Sequence, residues 1–349
     1  MLDSNRSECE LAYQMNFHPL YRVAQFWSFS VSVLAVPSLV WFLLGKVMYL
    51  HFHGNLKFLL ISYFLSLLCF SCAMCFGFGY HTFVPFFAPS KCSLMIDPIL
   101  FKWCHTFAMS LLTISMLLPI GFSIERFIAL LMAEKYENAR TFIGPILVTV
   151  LIALDLTIVK FVYQNEKFSD TFLSFVLTPT ASASQVNIYF SSLLAVKLFN
   201  LVCNCILIKI HMRIKKRYYR RTHSLSLRYE LEEIVQSSKF TLIISFFHLV
   251  FFGWYLTVTI TVRFLGESFL GGFLNYTVFR GMYCTVPTYS LVIVLVGFKS
   301  LRHLNIQRHN KVQSTVQIKS TGREGATNYD NAISNYWDSV SHGLDRMNR

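Results

Sequence analysis

Two residues carry charge where charge is most costly. Asp155 and Lys197 each interrupt a long apolar run, and an ionisable group inside a bilayer costs about 2.5 kcal/mol or more on insertion scales. A group kept at that cost faces a bundle interior and meets a ligand, a counter-charge or water. Asn200 and Asn204 follow Lys197 at spacings of three and seven, so the three share one helix face and form a polar stripe. His105, His248 and Arg280 are further candidates for the same interior. For each of those the ordinary alternative is an interhelical hydrogen bond or a place at the membrane interface.

The chemistry these residues suggest is recognition, not catalysis. The chain holds no Gly-rich phosphate loop, no HExxH pair, no two separated CxxC pairs at zinc spacing and no paired acids within an apolar run. Cys69, Cys72 and Cys75 stand at helical spacing in an apolar stretch and read as small core residues. No cofactor or metal is implied.

The elements that position these residues are apolar runs. The chain has 349 residues, 54% hydrophobic and 14% charged, where a soluble domain has about 25% charged. Runs of about 20 apolar residues cross about 30 Å of hydrocarbon as helices. These runs are continuous and not alternating, which excludes a barrel. Gaps between charges place seven spans near 24–45, 58–79, 103–124, 142–163, 187–208, 239–263 and 276–298. The predicted fold is an all-α seven-transmembrane helix bundle.

Charge then sets orientation. Of 31 Lys and Arg residues, 22 fall in the tail and in the loops after spans one, three and five, and 8 fall on the other side. Positive residues stay cytoplasmic, so the N-terminus is expected outside and the C-terminus inside. No cleavable signal peptide is expected, because residues 1–21 lack an apolar core behind a basic start. The net charge of +13 is explained by topology and does not imply nucleic acid. The predicted organisation is an extracellular arm over 1–22, a bundle over 23–300 and a disordered cytoplasmic tail over 301–349.

Within that frame Asp155 lies about 13 residues, roughly 20 Å, past the cytoplasmic start of span four. Lys197 lies near mid-membrane on span five. An Asp155–Lys197 pair is therefore one expectation, either anchoring a ligand or acting as a structural salt bridge. Asn5 heads an Asn-Arg-Ser acceptor triplet for glycosylation on the expected outer side. Cys9 and Cys92 also lie there, where oxidation is possible. They either bridge, pinning the arm across the mouth of the bundle, or remain free thiols. The basic run Lys209–Arg221 serves orientation, anionic lipid or a partner. Ser226 is expected to cap the sixth helix, and Glu230, Glu232 and Glu233 read as a solvated face.

Several blocks resemble a known family. Ser123-Ile124-Glu125-Arg126-Phe127 is similar to the acid-Arg-aromatic triplet that closes the third helix of G-protein-coupled receptors. CELA (9–12), HPLYRVAQ (18–25), FHGNLK (52–57), PIGFSIERF (119–127), YENARTFIGP (136–145) and LSLRYELEEI (225–234) resemble the nematode serpentine receptor class beta chemoreceptors of the Sra superfamily. The resemblance runs in blocks from about residue 9 to 300. It implies a chemosensory receptor of sensory neurons, in the plasma membrane and its cilia, that detects a small external molecule and activates a heterotrimeric G protein. In that reading Glu125 holds Arg126 at rest, and Arg126 faces the crevice that a G-protein helix enters.

The chain departs from the rhodopsin-like pattern. Span two has no Asp, span six has Trp254 but no Pro, and span seven has Pro287-Thr288-Tyr289 in place of Asn-Pro-x-x-Tyr. The loop over about 164–186 has no Cys, so the usual bridge to span three cannot form. A seven-span ligand-gated channel subunit is the runner-up, with the opposite orientation. A transporter would show an inverted repeat, and none is visible.

Overall fold

Helix starts in this chain are set by residues that end what precedes them. The Asp97 carboxylate accepts from Ile99 N and Leu100 N at 2.9 and 3.1 Å, and Pro98 follows in the first helical position. Pro19 opens the first spanning helix in the same way. At the next, His53 accepts from Asn55 N.

The computed structural model describes residues 2–50, 52–132, 142–169, 172–179, 181–221, 225–282 and 284–315, and then 326–327, 329–331 and 333–334. Side chains are described except at 2–6, 217–221, 225–230, 305 and 307–315. The helices are α1 (Leu2–Asn16), α2 (Pro19–Gly45), α3 (Gly54–Phe87), α4 (Pro98–Leu131), α5 (Ile143–Val162), α6 (Ala183–Arg221), α7 (Leu225–Phe269), α8 (Phe273–Met282) and α9 (Val286–Thr315).

Seven spans are long and apolar enough to cross a membrane: α2 to α7 singly, and α8 with α9 together. All seven predicted spans are present, and most helices overrun the predicted ends by a turn or more. The charge-free core of each run marks the membrane, but the helix continues until a cap or proline stops it.

Four features differ from expectation. The arm is itself helical, as α1, and the first spanning helix begins at Pro19, so the 22/23 boundary falls inside a helix. The seventh span is broken, because Pro287 has no N–H and its ring clashes with the carbonyl four residues back. The helix α7 already begins at Leu225, so Ser226 is within it and is not its cap. Residues Leu301–Arg349 form a second compact unit, distinct from Met1–Ser300. The described residues from 326 to 334 are helical, and most of the tail expected to be disordered lies outside the described residues.

Two glycines are required by geometry. Gly266 takes φ 68 and ψ −174 inside α7, breaking its last turn. A Cβ on Gly144 would lie 2.5 Å from the backbone oxygen of Asn55, so α5 seats directly on the start of α3. Asn55 Oδ1 accepts from Gly144 N there at 3.0 Å.

Candidate functional site

At the predicted extracellular end, α1 lies across the bundle. Cys9 and Cys92 are joined by a disulfide. Lys91 adds a 2.6 Å ion pair to Glu10 and sits 4.7 Å above the Tyr13 ring. The Lys91 hydrogen bond, with a second from Gln14, holds the exposed Glu10 carboxyl below its ordinary range. Asn5 lies on α1, and its side chain lies outside the described residues.

Beside α1, the loop after α5 folds inward. Its backbone bridges Ile96 to Phe172, and Phe172 stacks on Phe101 at 3.8 Å. His105 is the clamp beneath it. Its Nδ1 meets Phe175 O at 3.0 Å, its Nε2 meets the Tyr163 hydroxyl at 2.8 Å, and its ring stacks on Phe101. Both ring nitrogens are thus occupied, which makes His105 a holder of the loop. His81 adds a second hold, its Nε2 accepting from Phe175 N at 3.2 Å. Tyr21 donates to Ser174 Oγ at 3.1 Å.

Asp155 and Lys197 do not pair; among the described residues no ion pair joins them. The reason is axial position. Asp155 lies beside Thr113 of α4 and Tyr189 of α6. Lys197 is eight residues further along α6, about 12 Å at 1.5 Å per residue. Asp155 is buried and its Oδ1 has no hydrogen-bond partner, nor has the Tyr189 hydroxyl. Lys197 is also buried, and His248 is close enough to feel its charge.

The polar stripe on α6 is real in space. Lys197, Asn200 and Asn204 are all buried. Asn200 donates to Pro119 O at 3.4 Å, and Asn204 donates to Ser123 Oγ at 2.7 Å. These bonds stitch α6 to α4 down the bundle axis. Alongside them His248 stacks on Tyr289 at 4.8 Å. The Tyr289 and Tyr63 hydroxyls share a hydrogen bond that ties α9 to α3. His248 therefore faces the interior, as do Lys197 and the two asparagines.

The stripe leads to Arg126. Its guanidinium grips Glu125 in a two-bond fork at 2.5 and 2.6 Å and donates to Ser237 Oγ of α7 at 2.6 Å. Arg126 and Glu125 are 1% and 0% exposed, so water does not screen the pair. Close by, Glu232 of α7 pairs with Lys215 of α6. Glu233 accepts from His53 N at 2.6 Å. These two acids were expected on a solvated face; instead they tie α7 to its neighbours. The basic run Lys209–Arg221 is the last part of α6, and the side chains of Glu230 and of residues 217–221 lie outside the described residues.

Arg280 sits at the other end, donating to Thr178 O at 3.5 Å and lying over Tyr276. It lines a cavity with Arg263, Tyr255, Val258 and Phe279. At about 20 Å³ the cavity has room for one water. The sequence carries no sign of the roles of Ser237 and Tyr63, and it marks Tyr289 only as part of the span-seven Pro287-Thr288-Tyr289 motif. Ser237 had no signal, since serine is ordinary in helices, while Arg263 was visible only as the charge closing span six.

Seven membrane-length apolar helices packed around a mainly apolar core that holds a buried polar stripe make a seven-span membrane protein. Comparison with known proteins gives the family. The family described as serpentine type 7TM GPCR chemoreceptor Srb matches residues 17–252. Serpentine receptor class beta-3 of Caenorhabditis elegans is 60% identical over 98% of this chain and 99% of its own length. Serpentine receptor class beta-12 is 55% identical over 97% and 98%, and class beta-1 is 54% identical over 96% and 98%, both from the same organism. The chain belongs to the serpentine receptor class beta chemoreceptors, an integral-membrane family of receptors and not of enzymes.

Proposed function

We propose that this chain is a chemosensory receptor of the plasma membrane, sited in sensory cilia, that binds a small external molecule and activates a heterotrimeric G protein. The carrying observation is the Glu125–Arg126–Ser237 cluster. It ties the ends of α4 and α7 together where the charge pattern predicts cytosol. A G-protein helix needs those ends apart. Ligand binding near the opposite end shifts the population toward an open arrangement that exposes Arg126.

The test is nucleotide exchange in cells. Arg126→Ala is expected to abolish agonist-driven exchange with surface expression retained, and unchanged exchange would remove the switch role. Tags on each end give the topology, with the N-terminus accessible on intact cells. An accessible C-terminus would exclude G-protein coupling and favour a channel of the opposite orientation.

A further inference from the structure

Two arginines meet at the predicted outer mouth, and among the described residues neither forms an ion pair with an acid. Arg263 comes from α7 and Arg280 from α8, and both line the same cavity. They are close enough for their charges to repel. Arg263 donates to Ala183 O and Asn187 Oδ1 at the start of α6, and its Nε is buried without a partner. Arg280 donates to Thr178 O and lies over Tyr276. These three acceptors are all neutral oxygens. The nearest acid in sequence, Glu267, is exposed and forms no ion pair with either arginine.

Two like charges held together against neutral acceptors form a site short of an anion. A carboxylate offers a guanidinium a full opposite charge and a two-bond fork, which a single neutral carbonyl does not, so an anion would displace the loop carbonyl at Thr178. The other walls, Leu177, Val258, Val262 and Phe279, are apolar and suit a hydrocarbon body.

We propose that Arg263 and Arg280 form the anion-reading end of the ligand site, and that the ligand is a small organic carboxylate with an apolar body. This rests on the chemoreceptor reading and names its ligand class. The cavity has room for one water in the present state, so a larger ligand requires release of Thr178 from Arg280. That release loosens one end of the loop that His105 and His81 hold at Phe175, coupling binding to the bundle.

The test uses the full-length chain in nanodiscs of neutral lipid and reads thermal shift, with no G protein present. Hexanoate and benzoate are each titrated beside hexanol and benzyl alcohol. The carboxylates are expected to raise the melting midpoint and the alcohols not. Arg263→Gln and Arg280→Gln are expected to weaken carboxylate binding at least tenfold, as the loss of a charge-assisted contact requires, with each variant's shift read against its own midpoint without ligand. If either fails to fold, Arg263→Lys and Arg280→Lys keep the charge and lose the fork, and weaker binding is still expected. Equal shifts from acid and alcohol, no shift from either acid, or full binding by the variants would overturn the proposal. So would a shift produced only by adding phosphatidylglycerol, which would assign the anion to a lipid headgroup. Carboxylate binding without nucleotide exchange would remove the G-protein reading and leave this site. A neutral agonist driving exchange through a chain that ignores carboxylates would do the reverse.

Discussion

Arg126 Nη1 donates to the Ser237 hydroxyl across 2.6 Å, joining α4 to α7 at a buried guanidinium already forked onto Glu125. Ser237 also donates to Ile234 O at 3.1 Å, so its oxygen is aimed at the arginine. A hydrogen bond to a buried charge contributes about 1.5–3 kcal/mol, and each 1.4 kcal/mol is about tenfold in an equilibrium. In the proposed activation, in which α4 and α7 part, a bond of this size biases the equilibrium toward the resting arrangement.

Ser237→Ala is therefore expected to raise ligand-independent signalling roughly tenfold, while Ser237→Thr, which keeps the hydroxyl, restores the parent level. The measurement is second-messenger output without ligand, at matched surface density. Parent-like output from Ser237→Ala would mean that Glu125 alone holds Arg126 and that α7 is held elsewhere, as by Lys215–Glu232.

The spans and the family-bearing triplet were legible because both are local. A charge-free run of 20 residues needs no partner to declare itself, and Glu125-Arg126 sits at the end of one. What was hidden depends on relative height and rotation of helices. Asp155 and Lys197 looked paired because each was ranked by depth within its own span, with errors of several residues. A two-turn mismatch was enough to place Tyr189, not Lys197, beside Asp155. Glu232 and Glu233 were read as solvated because α7 extends below the apolar run, where composition gives no sign of a neighbour. Arg263 and Arg280 are 17 residues apart across two helix breaks, at Gly266 and before α8, and only the turn between them brings them together.

The separation of Asp155 from Lys197 has a direct energetic consequence. Asp155→Asn and Lys197→Met are expected to act independently, with a coupling energy below about 0.5 kcal/mol in a double-mutant cycle. Thermal unfolding of the purified full chain in one detergent measures it. Asp155→Asn alone is expected to leave stability unchanged or raised, because it relieves a buried carboxylate with an orphaned oxygen. Coupling above about 1 kcal/mol would reinstate the pair.

Gly144 tests the seating of α5 on α3. The oxygen that a new Cβ would strike belongs to the Asn55 backbone, which is anchored in the first turn of α3 and cannot swing aside. Overpacking against fixed atoms costs about 1–3 kcal/mol. Gly144→Ala is expected to lower the unfolding midpoint by several degrees and to reduce surface expression. A midpoint equal to that of the parent would show that α5 can slide. Asn55→Ala, which loses the bond to Gly144 N, should fall in the same direction.

The arm gives a pH-dependent prediction. Glu10 has its folded pKa lowered by the hydrogen bond from Lys91, so its contribution is present above the ordinary carboxylate range and is lost as pH falls through the lowered value. In the parent protein the disulfide masks this, since closing a loop 83 residues long is worth up to about 4.5 kcal/mol in the chain-entropy account. In the double variant Cys9→Ser, Cys92→Ser, the docking of α1 is expected to survive at neutral pH through Lys91, Tyr13 and the burial of Met15 and Tyr21. It should weaken on acidification below about pH 4. Because the pair is exposed, the change is small and fades in high salt. Hydrogen exchange of the α1 amides follows it, and Glu10→Gln in the same background should show the weakened docking at every pH, with no further acid step. An acid step that persists in Glu10→Gln would assign the titration to another group and leave Glu10 a spectator.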